Sequence, residues 1–125
     1  MSEIQRLRNI VAKLRAPDGC PWDREQTHHS LVQCRVEEVS EGIEAIDNQD
    51  STAMEEELGD LLLQVVMHAR LAEEEGKFDL EAVACGIADK LIRRHPHVFG
   101  DNETKIDSPD EVLDRWELIK EQEKK

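Results

Sequence analysis

Apolar residues recur along this chain at three- and four-residue steps, the period of an α-helix with one face turned away from water. Ile4, Leu7, Ile10, Val11 and Leu14 form the first such series, between a Ser2/Gln5 capping box and Pro17-Asp18-Gly19. The pattern lapses from Cys20 to Ser30, which predicts a loop holding Pro21, Trp22, Asp23, His28 and His29. Val32, Val36, Val39, Ile43 and Ile46 then predict a second helix running to about Asp47. Asp50-Ser51-Thr52 supplies a turn, Thr52 with Glu55 a further capping box, and a third helix runs to Glu75 and stops at Gly76. From Leu58 to Ala72 this helix is apolar nearly all round, the signature of a central element surrounded by others. Asp79 caps a fourth helix, whose stripe of Leu80, Val83, Ala84, Ile87, Ala88, Leu91 and Ile92 ends before Pro96. Ser108-Pro109-Asp110-Glu111 opens a fifth, which carries Val112, Trp116 and Ile119. No segment alternates apolar and polar residues as a half-buried strand does. The expected fold is an all-α bundle of four to five helices, a single domain over residues 1–125. So short a bundle leaves apolar surface uncovered, which favours a homo-oligomer.

Composition confirms that the chain folds and narrows what it meets. With 38% hydrophobic residues, four prolines and six glycines, it is too apolar and too poor in breakers for a disordered tail. The formal charge of −13 argues against a nucleic-acid backbone binder, which needs cations to neutralise phosphates. An acidic protein that handles phosphates needs metal ions between. Cys20, Cys34 and Cys85 are odd in number and form no Cys-x-x-Cys, so neither a disulfide framework nor a zinc knuckle is indicated and the reducing cytoplasm is the expected compartment. The most apolar stretch, Leu61 to Met67, is far too short for a membrane span of about 20 residues.

The candidate chemistry lies in carboxylates. Glu38 and Glu41 are three apart, as are Glu57 and Asp60, which puts each pair on one helical face with Cβ atoms about 5 to 6 Å apart. Acidic pairs at this spacing also decorate solvated faces, so their surroundings decide. At 100° per residue, Leu31, Cys34, Glu38, Glu41 and Ala45 share a face away from the Val32–Ile46 seam. On the third helix Glu57, Asp60, Leu61, Gln64, His68 and Leu71 form one stripe that starts acidic and becomes buried. The short turn makes the two helices antiparallel neighbours and can bring the pairs face to face. Four converging carboxylates repel unless a cation lies among them, and oxygen-only ligands suit magnesium, manganese or calcium. A di-iron bundle would need Glu-x-x-His on two helices, whereas the only match, Glu25 to His28, falls in the loop. His68 reads as a hydrogen-bonded core histidine and Gln64 likewise as a core polar residue, with ligand orientation or substrate contact as the alternative role of its amide.

Lys90, Arg93 and Arg94 close the fourth helix, where cations complement the helix dipole. Lys90 and Arg94 lean toward the apolar stripe and Arg93 toward solvent, an arrangement suited to anionic cargo. Trp116, with Lys120 one turn on, suits a nucleotide. Gly19-Cys20-Pro21-Trp22-Asp23, Glu37-Glu38-x-x-Glu41, Glu57-Leu58-Gly59-Asp60-Leu61-Leu62, Arg93-Arg94-His95-Pro96-His97-Val98-Phe99 and Trp116-x-x-Ile119-Lys120 together resemble the MazG family of nucleoside triphosphate pyrophosphohydrolases. The resemblance runs in order over almost the whole chain. It implies an all-α pyrophosphohydrolase fold, a homodimer or homotetramer, dependence on Mg2+ with Mn2+ as a substitute, and hydrolysis of nucleoside triphosphates to monophosphate and pyrophosphate. It places metal ligands at Glu38, Glu41, Glu57 and Asp60, and a supporting or water-orienting carboxylate at Glu37. Substrate contacts fall on Lys90, Arg93, Arg94, Trp116 and Lys120. Some family members carry two such domains, so a natural one-domain protein and one half of a longer parent both fit. A pyrimidine-specific deoxynucleotide pyrophosphatase and a non-catalytic domain of the same type are the remaining alternatives.

Overall fold

The computed structural model describes residues 1–100 and 108–124. Among these residues every regular element is helical: α1 (Glu3–Leu14), α2 (Pro21–Glu25), α3 (Val32–Asp47), α4 (Ser51–Glu74), α5 (Leu80–Arg94), α6 (Pro96–Phe99) and α7 (Pro109–Glu123). The all-α expectation holds. Helix ends follow local chemistry. Ser2 Oγ accepts from the Gln5 N–H at 3.1 Å and starts α1. The expected loop from Cys20 to Ser30 contains one helical turn, α2, because Pro21 at its first position is already set to a helical φ. At α4 the cap is Asp50 rather than Thr52: its carboxylate accepts from the Ala53 N–H at 3.1 Å, and its charge also meets the helix dipole. Pro96 ends α5 as expected but also begins the short α6.

Two compact units are present, Met1–Leu80 and Glu81–Lys125. In the first, α4 packs against both α1 and α3. Val11, Leu31, Val66, Met67 and Leu71 form its core, with Leu7, Leu63 and Leu80 packed against them. The α3–α4 connection is tight. Asp50 N–H reaches back to the Ala45 carbonyl at 3.1 Å and Gln49 N–H to that of Ile46 at 3.0 Å, with Gln49 in the left-handed region at φ 54°. This turn reverses the chain and makes α3 and α4 antiparallel neighbours. At the far end of α4, Gly76 takes φ 72° while Lys77 N–H bonds the Ala72 carbonyl at 2.9 Å, a closure that favours glycine.

One face of α3 packs as expected, and two other packing expectations are corrected. The face that α3 presents to α4 carries Leu31, Gly42 and Ala45, all buried, and a Cβ on Gly42 would lie 3.8 Å from Leu61 Cδ1. Small residues let the two backbones approach closely there. The heavier Val32–Ile46 seam faces outward, with Ile43 and Ile46 55% and 58% exposed. Nor is α4 enclosed among the described residues: Leu58, Leu62 and Val65 are exposed. The α5 stripe is open as well, at Val83, Ile87, Leu91 and Ile92.

One cation ties the first unit together. The Arg15 side chain, 9% exposed, donates from Nε and Nη2 to the two Glu74 carboxylate oxygens, both at 2.8 Å, and from Nη1 to the carbonyls of Asp23 and Gln26. The Arg15 hydrogen bond holds the Glu74 carboxyl below its ordinary range. Removing such a group orphans several acceptors, so Arg15→Ala should cost about 2 to 3 kcal/mol. Urea unfolding measures it, and a loss below about 0.5 kcal/mol would show that the ion pair is replaceable by water.

Candidate functional site

The antiparallel α3–α4 pair brings four acids together. One carboxylate oxygen from each of Glu38, Glu41, Glu57 and Asp60 lies within 4.8 Å of the others. Three-residue spacing sets each pair on its helix, and the Asn48–Asp50 turn sets the helices side by side. Glu38, Glu57 and Asp60 are half-buried and Glu41 is exposed. Beside them a cleft of about 210 Å³ is lined by Glu41, Glu44, Ala45, Asn48, Asp50, Ala53 and Glu57.

The electrostatics are those of crowded anions. Loss of water raises the Glu38 carboxyl above its usual range, and the charges of Asp60, Glu41 and Glu37 raise it further. A hydrogen bond shared with Glu41, together with desolvation and the neighbouring charges, pushes Glu57 up to about 7. Glu38 Oε2 and Glu57 Oε2 are buried and accept no hydrogen bond. Buried carboxylate oxygens left without a donor, converging with two further acids, fit a hard divalent cation. Glu37 stands outside this group: it is exposed and accepts from Gln33 Nε2 at 3.3 Å.

Further along the same stripe of α4, Gln64 is 8% exposed and its Oε1 is without a hydrogen bond. His68 stacks on His28 with the rings 3° from parallel, and their Nδ1 atoms meet at 2.8 Å. One imidazole donates and the other accepts. The contact ties the segment before α3 to α4, the hydrogen-bonded role expected of His68.

The basic residues lie in the second unit. Arg94 is half-buried, with its side chain 14% exposed, and Arg93 is the open one at 52%. Lys90 is half-buried. Arg94 lies over the Trp116 ring at 5.2 Å, and His95 meets the same ring edge-on with centroids 5.1 Å apart. Lys120, one turn beyond Trp116, is paired with Glu117 at 3.8 Å. Sequence reasoning missed Glu123, which accepts from Arg93 Nη2 at 3.0 Å and from Arg94 Nε at 3.2 Å. These two guanidiniums hold the Glu123 carboxyl down to about 2. Its signal was present, since Trp116, Lys120 and Glu123 fall on one face of α7.

The MazG nucleotide pyrophosphohydrolase domain matches residues 26–99. The chain is 53% identical over 121 residues to the nucleoside triphosphate pyrophosphohydrolase/pyrophosphatase MazG of Thermotoga maritima, covering 97% of this chain and 45% of that protein. To the nucleoside triphosphate pyrophosphohydrolase of Escherichia coli K12 it is 48% identical over 125 residues, covering 99% of this chain and 47% of that protein. The chain thus spans about half the length of these two relatives, and 24% of the uncharacterized protein YabN of Bacillus subtilis, to which it is 51% identical. In structure it is similar to a mazG-related protein from Thermotoga maritima, with a TM-score of 0.74 and 27% identity over 94% of this chain and 98% of that one. No helix among the described residues is long and apolar enough to cross a membrane.

Proposed function

The chain belongs to the MazG nucleotide pyrophosphohydrolase family, and from that premise we propose that it hydrolyses nucleoside triphosphates to the monophosphate and pyrophosphate. The observation that carries the reading is the approach of four carboxylate oxygens, from Glu38, Glu41, Glu57 and Asp60, to within 4.8 Å of one another. These four would hold Mg2+, with Mn2+ as a substitute. Such an ion, when bound, neutralises phosphate charge and acidifies a water. Glu37 supports the ligands by adding negative charge beside Glu38. Water adds to the α-phosphorus, the bridging bond to the β-phosphate breaks, and pyrophosphate departs without a covalent enzyme intermediate. Lys90 and Arg94 neutralise charge on the departing pyrophosphate, with Arg93 beside them. Trp116 and Lys120 hold the nucleotide.

The whole chain acts as one MazG-like domain in a homodimer or homotetramer. The exposed apolar seam of α3 and the open side of α4 support this assembly, because monomers rarely leave such surface bare. Sedimentation that finds only monomer would contradict it.

Pyrophosphate release from the eight common ribo- and deoxyribonucleoside triphosphates, with and without Mg2+, tests the activity. Release that requires the ion is expected. A preference for one pyrimidine deoxynucleotide above about a hundredfold, roughly 2.7 kcal/mol, would instead mark a specialised pyrophosphatase. Silence on every substrate would overturn the reading.

A further inference from the structure

Arg93 and Arg94 are adjacent on α5, so their side chains leave the helix about 100° apart and, as like charges, repel. Yet both end on one carboxylate. Glu123 takes a bond from Arg93 Nη2 at 3.0 Å, bonds from Arg94 Nε at 3.2 and 3.4 Å, and one from Arg94 Nη2 at 3.3 Å. Its side chain is 23% exposed although the residue lies on the surface, because the two guanidiniums cover it. The Nε edge of Arg94 is thereby fixed, and its plane is held over Trp116 at 5.2 Å. His95 also contacts Trp116, meeting it edge-on, and bonds the Leu91 carbonyl through Nδ1 at 2.6 Å. Among the described residues no hydrogen bond engages Arg94 Nη1, which leaves it for an anion. Long arginine side chains lose much rotamer freedom on binding, and a carboxylate that orders them beforehand removes that cost from the binding step.

We propose that Glu123 is the positioning residue of the anion-binding arginines, gathering Arg93 and Arg94 at one point and locking Arg94 against Trp116 before the triphosphate arrives. The proposal rests on the triphosphate reading above, and it has a sign that separates it from its rival. If Glu123 were only a counter-ion competing with the phosphates, removing its charge would strengthen substrate binding. A positioning role requires the opposite.

The test is steady-state kinetics with Mg2+ on wild type, Glu123→Gln and Glu123→Asp. Glu123→Gln should raise KM about tenfold while kcat stays within about twofold. Glu123→Asp, which restores the charge, should bring KM back to within about threefold of wild type. Alongside, acrylamide quenching of Trp116 is read in a Trp22→Phe background, where Trp116 is the remaining tryptophan. Glu123→Gln should about double the quenching constant as Arg94 leaves the ring, and Glu123→Asp should not. A KM that is unchanged or lower in Glu123→Gln overturns the proposal, as does unaltered quenching. If wild type turns over no triphosphate, the functional reading falls while the quenching result still decides the role of Glu123.

Discussion

Glu38→Ala and Asp60→Ala are each expected to reduce Mg2+-dependent pyrophosphate release by at least about a thousandfold, equivalent to roughly 4 kcal/mol of lost transition-state stabilisation. The size follows from the site's economy. The four acids come from two helices, so deleting one leaves a lopsided set of three around a cation that demands near-ideal oxygen geometry. The fold should survive, because the core of Val11, Leu31, Val66, Met67 and Leu71 does not include the acids. Without a divalent ion the deletion also removes a repulsion that already raises Glu38 and Glu57. Far-UV circular dichroism should therefore match wild type in both variants, and calorimetry should show weakened Mg2+ binding. Glu56→Ala serves as the control: it lies on the same helix beside Glu57 but outside the acidic group, and should keep its activity. Retained turnover in Glu38→Ala or Asp60→Ala would remove the metal centre from the account.

What the chain's pattern revealed, and what it hid, follows from the range of the forces involved. The acidic quartet was legible because it needs only helical arithmetic and one tight turn: Glu57, Asp60, Gln64 and Leu71 pass from half-buried to buried along one stripe of α4. The side of α3 that faces α4 was legible as well, but the exposure of its other apolar face was not. Its richest apolar face, Val36, Val39, Ile43 and Ile46, looks like a core seam yet is exposed, while the face with Ala45 and the two acids packs on α4 as its pattern indicates. Hydrophobicity shows that a face avoids water, and close approach of backbones shows which neighbour it takes. The α4 cap was displaced by two residues because Asp50 and Thr52 both carry acceptors, and a charged one at the helix dipole is the stronger. Arg15 gave no signal. Its partners are the carbonyls of Asp23 and Gln26 and a glutamate 59 residues away, and no periodicity encodes such contacts. Glu123 lay between these cases, visible as a position on the Trp116–Lys120 face of α7 but without a partner until α5 was placed beside it within the same unit.

Metal-free wild type should lose stability relative to Glu57→Gln as the pH rises from about 5 to about 8, and Mg2+ should erase or reverse that trend. The sign comes from proton linkage. The hydrogen bond with Glu41, with desolvation and the neighbouring charges, raises the Glu57 carboxyl from 4.5 to about 7 in the folded chain, so between those values the folded state binds more protons than the unfolded one. Stability from this group is complete below its unfolded value and is lost as the pH climbs through the folded value. Glutamine at this position cannot titrate, so the difference in Tm between the two proteins isolates Glu57 from the other groups that ionise in the same range. A divalent ion reverses the logic by favouring the deprotonated carboxylate, and its binding must then expel the proton that Glu57 holds. Calorimetric titration with Mg2+ in two buffers of different ionisation enthalpy should show more proton release near pH 6 than near pH 8, and Glu57→Gln should show less than wild type at the lower pH. A flat Tm difference together with pH-independent proton release would mean that Glu57 is ionised throughout. The carboxylates would then be far enough apart, or wet enough, to coexist without a cation, and the physical reason for placing an ion among them would be gone.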